Sequence, residues 1–172
     1  MDQKFVSEKS RSEETNLPVV RKAVRGDLGK LNELAVGSEA YWGYDEDHMS
    51  AFKRRYAIRN NHLEKGHVFV IEKNGGILGF YHLTAKESGF ELEHFYIDPR
   101  YLGKGLGQTL WGHLRAFCIH RRIREVTIVC NDLVKVFYLK MGAAFLGRIE
   151  SKVDRGTMIA KLKYRMNPAH SR

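Results

Sequence analysis

The strongest chemical signal in the sequence is the run Asp98-Pro99-Arg100-Tyr101-Leu102-Gly103-Lys104-Gly105-Leu106-Gly107-Gln108, with three glycines at alternate positions. Glycine lets a backbone turn tightly and come close to a ligand with no Cβ in the way. If a helix begins just beyond, its first N–H groups lack intrahelical partners and carry about half a positive charge between them. Arg100 and Lys104 add full charges, so the segment suits a pyrophosphate. It is not a P-loop, because no Lys-Ser or Lys-Thr pair follows the glycines. A dinucleotide fingerprint fails as well, since Leu110 stands where the third glycine of G-x-G-x-x-G belongs. A tight strand-to-helix turn that holds no ligand remains the competing explanation.

Other residues have the right chemistry for acid, base or recognition work. Glu91, Glu93 and Phe95 fall on one face of an extended segment by the two-residue period, with His94 opposite. Either glutamate could accept an amine proton, directly or through water, or simply face solvent. Tyr41, Trp42 and Tyr44 precede Asp45, Glu46 and Asp47, a combination that fits an amine-bearing ligand as well as it fits plain core packing. Cys118 and Cys130 form no CxxC pair, sit near no quartet of ligands and have no histidine at useful spacing. They are expected to be buried thiols, and no metal is expected. The basic run His120-Arg121-Arg122-Ile123-Arg124 either complements a helix C-terminus or contacts nucleic-acid phosphates, but no nucleic-acid-binding signature accompanies it.

The elements that must place these residues follow from periodicity. A first strand is predicted at Val19–Val24, then a helix carrying Leu28, Leu31, Leu34 and Ala35, then a second helix from Asp47 to about Asn60. From His67 the pattern becomes β: a strand, the turn Asn74-Gly75-Gly76, a strand over Ile77–Thr84, and a third over Phe90–Ile97 that ends at Asp98-Pro99. Leu106, Leu110, Leu114, Phe117 and Cys118 then share a helix face. Glu125–Cys130 is a strand, which makes Phe90–Cys130 a crossover joining parallel strands. A short helix over Asp132–Met141 and a closing hairpin around Asp154-Arg155-Gly156 complete one α+β domain, a mixed sheet with helices on both faces.

Composition agrees. The chain has 172 residues, 43% of them hydrophobic and 28% charged, enough for one sizeable core. Its net charge of +9 favours anionic partners without choosing among them. The domain is expected over residues 18–166, with a flexible tail at 1–17 and another at 167–172. The polar N-terminal stretch contains no apolar run of signal-peptide or membrane-span length, so a cytoplasmic setting is expected.

In the order and spacing of its motifs the chain resembles the GNAT superfamily of acyl-CoA-dependent N-acetyltransferases, over about Val19 to Lys163. The resemblance rests on Phe95-Tyr96-Ile97-Asp98-Pro99, on Gly103-Lys104-Gly105-Leu106-Gly107, and on Asn131 followed seven residues later by Tyr138 and then by Met141-Gly142-Ala143. One departure is Leu102, where the family usually has Arg or Gln. The resemblance implies a mostly antiparallel sheet with a central splayed parallel pair, and acetyl-CoA as co-substrate. It implies that the backbone of Phe95, Tyr96 and Ile97 pairs with the pantetheine arm, in the manner of an added strand, and that an N–H near Tyr96 polarises the thioester carbonyl. The pyrophosphate would lie on Gly103, Lys104, Gly105, Leu106, Gly107 and Gln108, with Asn131 across the wedge. Tyr138 stands where the family has its general acid, and Tyr41, Trp42 and Tyr44 lie where it lines the acceptor pocket.

The expected reaction is therefore direct transfer of an acetyl group, in a ternary complex, to a primary amine. Tyr138 is the expected acid and Glu93 or Glu91 the expected base. The alternatives are a domain of this fold that binds acyl-CoA without catalysis, and a basic nucleic-acid-binding module. The expected partner is a small-molecule or peptide amine, a homodimer is an allowed assembly, and neither a membrane nor nucleic acid is expected.

Overall fold

A computed structural model describes residues 17–167. The expected tails lie, but for their innermost residues, outside that range. Seven strands form one sheet in the order β1-β2-β3-β4-β5-β7-β6: β1 (Val19–Lys22), β2 (His67–Lys73), β3 (Gly76–Lys86), β4 (Gly89–Ile97), β5 (Glu125–Cys130), β6 (Ala144–Glu150) and β7 (Met158–Arg165). Every neighbouring pair is antiparallel except β4 with β5. Helices α1 (Leu28–Ala40), α2 (Glu46–Tyr56) and α3 (Asn60–Lys65) cover one face, and α4 (Leu106–His120) and α5 (Asp132–Lys140) the other.

The helix faces are those the apolar spacing dictates. Leu31, Leu34 and Ala35 of α1 are buried against Val68, Val70 and Phe80 of the sheet, while Leu110, Trp111, Leu114 and Cys118 of α4 are buried on the opposite side with Tyr81, Val126 and Leu162. Each fully buried leucine contributes about 1.5–3 kcal/mol. The second helix is shorter than periodicity suggests. It stops at Tyr56, an extended residue at Ala57 breaks it, and a separate one-and-a-half-turn helix, α3, follows. Three basic residues, Lys53, Arg54 and Arg55, complement its last turn.

Two irregularities in β4 decide the geometry of everything that follows. The first is a bulge: His82 pairs with His94 but Leu83 pairs with Leu92, so Glu93 is an extra residue with no partner on β3. The bulge resets the alternation of side chains. Leu92 and Phe95, three apart, both pack on the α4 face, while His94 and Tyr96 pack on the α1–α2 face. The expectation that Glu91, Glu93 and Phe95 share a face is therefore wrong, because strict two-residue alternation fails at an inserted residue.

The second irregularity is splay. Parallel pairing of β4 with β5 covers only Phe90–Leu92 against Val126–Ile128, after which Glu93–Ile97 and Val129–Cys130 are unpaired with one another. On its other edge β4 stays bonded to β3 as far as Asp98, whose N–H donates to the Leu78 carbonyl at 2.8 Å. The strand thus leaves one neighbour while remaining fixed to the other.

Close approach of β3 and β4 depends on Gly79. A Cβ there would lie 2.6 Å from the Tyr96 carbonyl oxygen and 2.6 Å from Ile97 Cδ1. Gly79→Ala is expected to cost roughly 1–3 kcal/mol by forcing the strands apart, read as a lower midpoint in urea denaturation. An unchanged midpoint would show that the strand pair has slack at this point.

Candidate functional site

The gap between β4 and β5 opens into a cavity of about 730 Å³ that runs from the glycine loop, past β4 and α5, to the aromatic residues between α1 and α2. At the loop end, Asp98 is buried and accepts from both the backbone and the guanidinium of Arg100, the latter at 2.6 Å. That ion pair holds the Asp98 carboxyl below the usual carboxylate range. Arg100 is thus committed to shaping the turn rather than being a free cation for a ligand. Pro99 opens a single 3-10 turn, and Gly103 and Gly105 take φ of +75° and +80°, values that only glycine adopts without strain. Leu106 then begins α4, and Thr109 is the first residue to bond back, to the Gly105 carbonyl. Among the described residues the N–H groups of Gly103, Lys104, Gly105, Leu106, Gly107 and Gln108 have no backbone or side-chain acceptor. The residues present therefore fit a diphosphate, which these unpaired donors, three of them at the helix N-terminus, would hold. The side chain of Lys104 lies over the Tyr101 ring, 5.1 Å from its centre, outside the cavity lining.

Along β4 the antiparallel ladder alternates. With Asp98 bonded to Leu78, the N–H and C=O of Tyr96 point to β3, and those of Phe95 and Ile97 point into the gap. The Ile97 carbonyl accepts from Ser38 Oγ of α1 at 3.2 Å. This leaves the Phe95 N–H and C=O and the Ile97 N–H open to a strand-like ligand. Tyr96 was expected to share this role through its backbone. Its backbone is spent on β3, and only its hydroxyl reaches the site, donating to Glu39 Oε2 at 3.4 Å.

Asn131, across the wedge, caps α5 by accepting from Val134 N–H at 3.1 Å and donates through Nδ2 to the Tyr44 hydroxyl at 3.0 Å. Tyr138 is buried, its ring packed against Phe95, Trp111 and Phe137, and it lines the cavity. Its hydroxyl has no hydrogen-bond partner among the described residues, and burial raises its pKa, so it stays a neutral donor. Cys130 also lines the cavity, but burial pushes its thiol up to about 12, which removes it as a nucleophile.

Of the two candidate bases, the structure brings only Glu93 to the cavity; Glu91 lies outside the lining. Glu93 reaches it because it is the bulged residue. Burial works to raise its pKa, but the Lys86 ammonium at 3.3 Å leads the charges that outweigh burial and hold the carboxyl below its ordinary range. Behind it His94 donates through Nε2 to the Tyr56 carbonyl at 2.9 Å, which leaves its Nδ1 to accept from His82 Nδ1 at 3.3 Å. Burial pushes both imidazoles toward the neutral form. Although the inward atoms of His82, Glu93 and His94 lie within 4.8 Å of one another, this bond between neutral rings accounts for the two nitrogens.

The aromatic end of the cavity contains residues that local pattern did not reveal. Tyr41, Trp42 and Tyr44 do line it, with Tyr41 and Trp42 edge to face at 5.1 Å. Beside them stand Glu39 from α1, His48 from α2 and Asp154 from the loop between β6 and β7. Asp45, expected among the recognition carboxylates, instead caps α2 by accepting from His48 N–H at 2.9 Å. Glu39 lies one residue past the apolar stripe of α1, and Asp154 lies 106 residues from His48 in the chain, so no spacing signal joins them. The run His120–Arg124 sits at the far end of α4, on the order of 22 Å from the loop for a helix of this length.

A family model described as an acetyltransferase (GNAT) domain matches residues 64–142. A curated relative, the 5-NmdU N-acetyltransferase of Pseudomonas phage PaMx11, is 28% identical over 131 residues, covering 75% of this chain and 89% of the relative. Among solved structures, a GCN5-related N-acetyltransferase from Rhodopseudomonas palustris superposes with TM-score 0.72 at 19% identity, covering 88% of this chain and 97% of the other. The PaiA N-acetyltransferase of Thermoplasma acidophilum, solved in complex with coenzyme A, gives 0.71 at 19% identity over 87% and 99%.

Substitution in the loop tests the cradle. A Cβ on Gly107 would lie 3.3 Å from the Phe137 ring, and any side chain on Gly105 would be strained at φ +80°. Gly107→Val and Gly105→Asp are expected to weaken coenzyme A binding by at least about tenfold in calorimetry, about 1.4 kcal/mol, with the aspartate adding charge repulsion. Retained affinity in both would remove the diphosphate from this loop.

Proposed function

We propose that this chain, whose residues 64–142 match the model of an acetyltransferase (GNAT) domain, is an acyl-CoA-dependent N-acetyltransferase that moves acetyl directly from acetyl-CoA to a primary amine while both are bound. The observation that carries this reading is the splayed strand pair, which leaves main-chain donors of Phe95 and Ile97 and of the glycine loop unpaired along one continuous cavity that ends among aromatic and acidic side chains. That layout has room for an extended thioester at one end and an amine at the other. A covalent acyl-enzyme would need an activated nucleophile, and the one thiol lining the cavity is held protonated.

The bound co-substrate supplies an activated acetyl thioester. Glu93, ionised at neutral pH, removes the amine proton directly or through one water. The amine nitrogen forms a bond to the acyl carbon, the carbon–sulfur bond breaks, and Tyr138 gives its proton to the departing thiolate. A free phenol, with pKa about 10, is close enough to a thiol to share that proton, and burial raises it further, which keeps Tyr138 in the donating form. Solvent then restores both residues. The Phe95 and Ile97 amides hold the pantetheine arm, and the N–H groups of Gly103, Lys104, Gly105, Leu106, Gly107 and Gln108 hold the diphosphate. Leu102, exposed at the mouth, adds no hydrogen bond there; the main-chain cradle does not require one. Asn131 anchors Tyr44 and thereby the α1–α2 loop over the acceptor.

The curated relative is named for acetylating 5-NmdU, so that compound is the first acceptor to try, alongside a polyamine and an alanine-terminated peptide, with thiol release as the signal. Tyr138→Phe is expected to lower kcat by about 10²-fold or more while leaving coenzyme A affinity within about twofold, and Glu93→Gln to act similarly. Equal loss of turnover and cofactor affinity would make Tyr138 a packing residue. Coenzyme A binding without thiol release across all amines would favour the non-catalytic alternative.

A further inference from the structure

His48 sits between two carboxylates that come from distant parts of the chain. Its Nδ1 is 2.6 Å from Asp154 Oδ2 and its Nε2 is 2.8 Å from Glu39 Oε1. The imidazole is buried, and Tyr44 stacks flat on it at 3.7 Å and 4°. A neutral imidazole has one N–H and would turn a lone pair toward one of the two carboxylates, whereas an imidazolium donates to both. The loop carrying Asp154 is itself braced: Ser151 Oγ accepts from the N–H groups of Val153 and Asp154, and Ser151 N–H donates to the Thr157 carbonyl.

We propose that Glu39 is the residue that binds the acceptor as an alkylammonium cation, and that His48 is the positioning residue that aims Glu39 and latches the β6–β7 loop over the site. The proposal rests on the N-acetyltransferase reading for what the bound amine is used for, but not for the binding itself. One Glu39 oxygen is held by His48, and the other receives only a long bond from Tyr96, so the carboxylate has acceptor capacity left on the cavity side. With His48 charged, the trio carries one net negative charge. Tyr41, Trp42, Tyr44 and Tyr96 wall the same space and add cation–π attraction. A protonated aliphatic amine fits these features; an aniline or an amide nitrogen, neutral at pH 7, does not.

The latch depends on pH. The groups facing His48 are Glu39 from α1, Tyr44 and Asp45 from the loop before α2, and Asp154 from the β6–β7 loop, with Tyr96 of β4 reaching it through Glu39. Among the described residues no second cation pairs with Glu39 or Asp154. Burial disfavours the imidazolium, but the bonds to Asp154 and Glu39 outweigh it and raise the pKa above the ordinary 6.5. A raised histidine contributes fully below its unfolded pKa and loses its contribution as pH rises through the folded one. The latch is therefore closed below the His48 midpoint and opens as pH rises through it.

The test needs no turnover, so it stands apart from the assay of acetyl transfer. In the full chain with coenzyme A present, the His48 ring is titrated by NMR, and binding of phenethylammonium is compared with that of its neutral isostere, phenethyl alcohol. The expected results are a His48 midpoint above the ordinary histidine value, moved to lower pH by Asp154→Asn, which keeps a hydrogen-bond acceptor but removes the charge. The ammonium is expected to bind roughly tenfold tighter than the alcohol, with Glu39→Gln abolishing that preference while coenzyme A affinity is unchanged. Hydrogen exchange over residues 151–157 should quicken, beyond its ordinary rise with pH, above the His48 midpoint. A His48 midpoint at or below 6.5 that ignores Asp154→Asn overturns the latch, and equal affinity for ammonium and alcohol overturns the role of Glu39. Since Glu→Gln and Asp→Asn preserve shape, a cooperative melt and unchanged coenzyme A affinity establish that the variants are folded.

Discussion

The central constraint is that β4 cannot pair with two strands at once beyond Leu92. β3 keeps its hold as far as Asp98, so β5 is the strand that is lost, and the peptide groups facing the gap are left without partners. Unsatisfied main-chain donors and acceptors in a partly buried setting cost free energy, and a ligand with its own amides can offset that cost. The wedge and the glycine loop with the start of α4 thus contribute two stretches of unpaired main-chain groups, separated by the hydrogen-bonded turn Asp98–Leu102, all from 16 residues of continuous chain between Glu93 and Gln108.

The bulge at Glu93 is the second consequence of how β4 is built. An inserted residue leaves the ladder, and here the residue that leaves it is a carboxylate aimed at the cavity. Its ionisation is protected by Lys86, and the two histidines behind it stay neutral because burial penalises their charged forms. The bulge also turns Phe95 onto the face of Trp111 and Tyr138, so the same backbone irregularity places the candidate base on one side and packs the candidate acid on the other. The candidate base and the candidate acid thus reach the cavity from opposite faces of β4.

The aromatic end of the cavity is built on a different principle. The cradle uses main chain from one segment, whereas the pocket uses side chains from α1, α2, β4 and the β6–β7 loop, tied by polar contacts across the top of the wedge: Glu39 to His48, His48 to Asp154, Asn131 to Tyr44.

Local pattern was enough for the strand–loop–helix unit from Gly89 to His120, because a two-residue period, a proline stop, three glycines and a 3.6-residue apolar stripe are all properties of neighbouring residues. It was also enough for β5 with α5, and hence for the positions of Asn131 and Tyr138. Pattern failed wherever one residue broke a period: the non-helical break after Tyr56 between α2 and α3, and the inserted Glu93 that moved Phe95 to the other face. It assigned Tyr96 a backbone role that the ladder to β3 denies, since which edge of a strand is spent depends on its partner. Glu39, His48 and Asp154 were beyond its reach, because a contact between residues 106 positions apart exists only after the β6–β7 loop folds back over α2. The chain alone determined which main-chain groups could be left open to a ligand, and tertiary structure decided which side chains meet at the far end of the cavity, because main-chain chemistry is local while side-chain encounters are not.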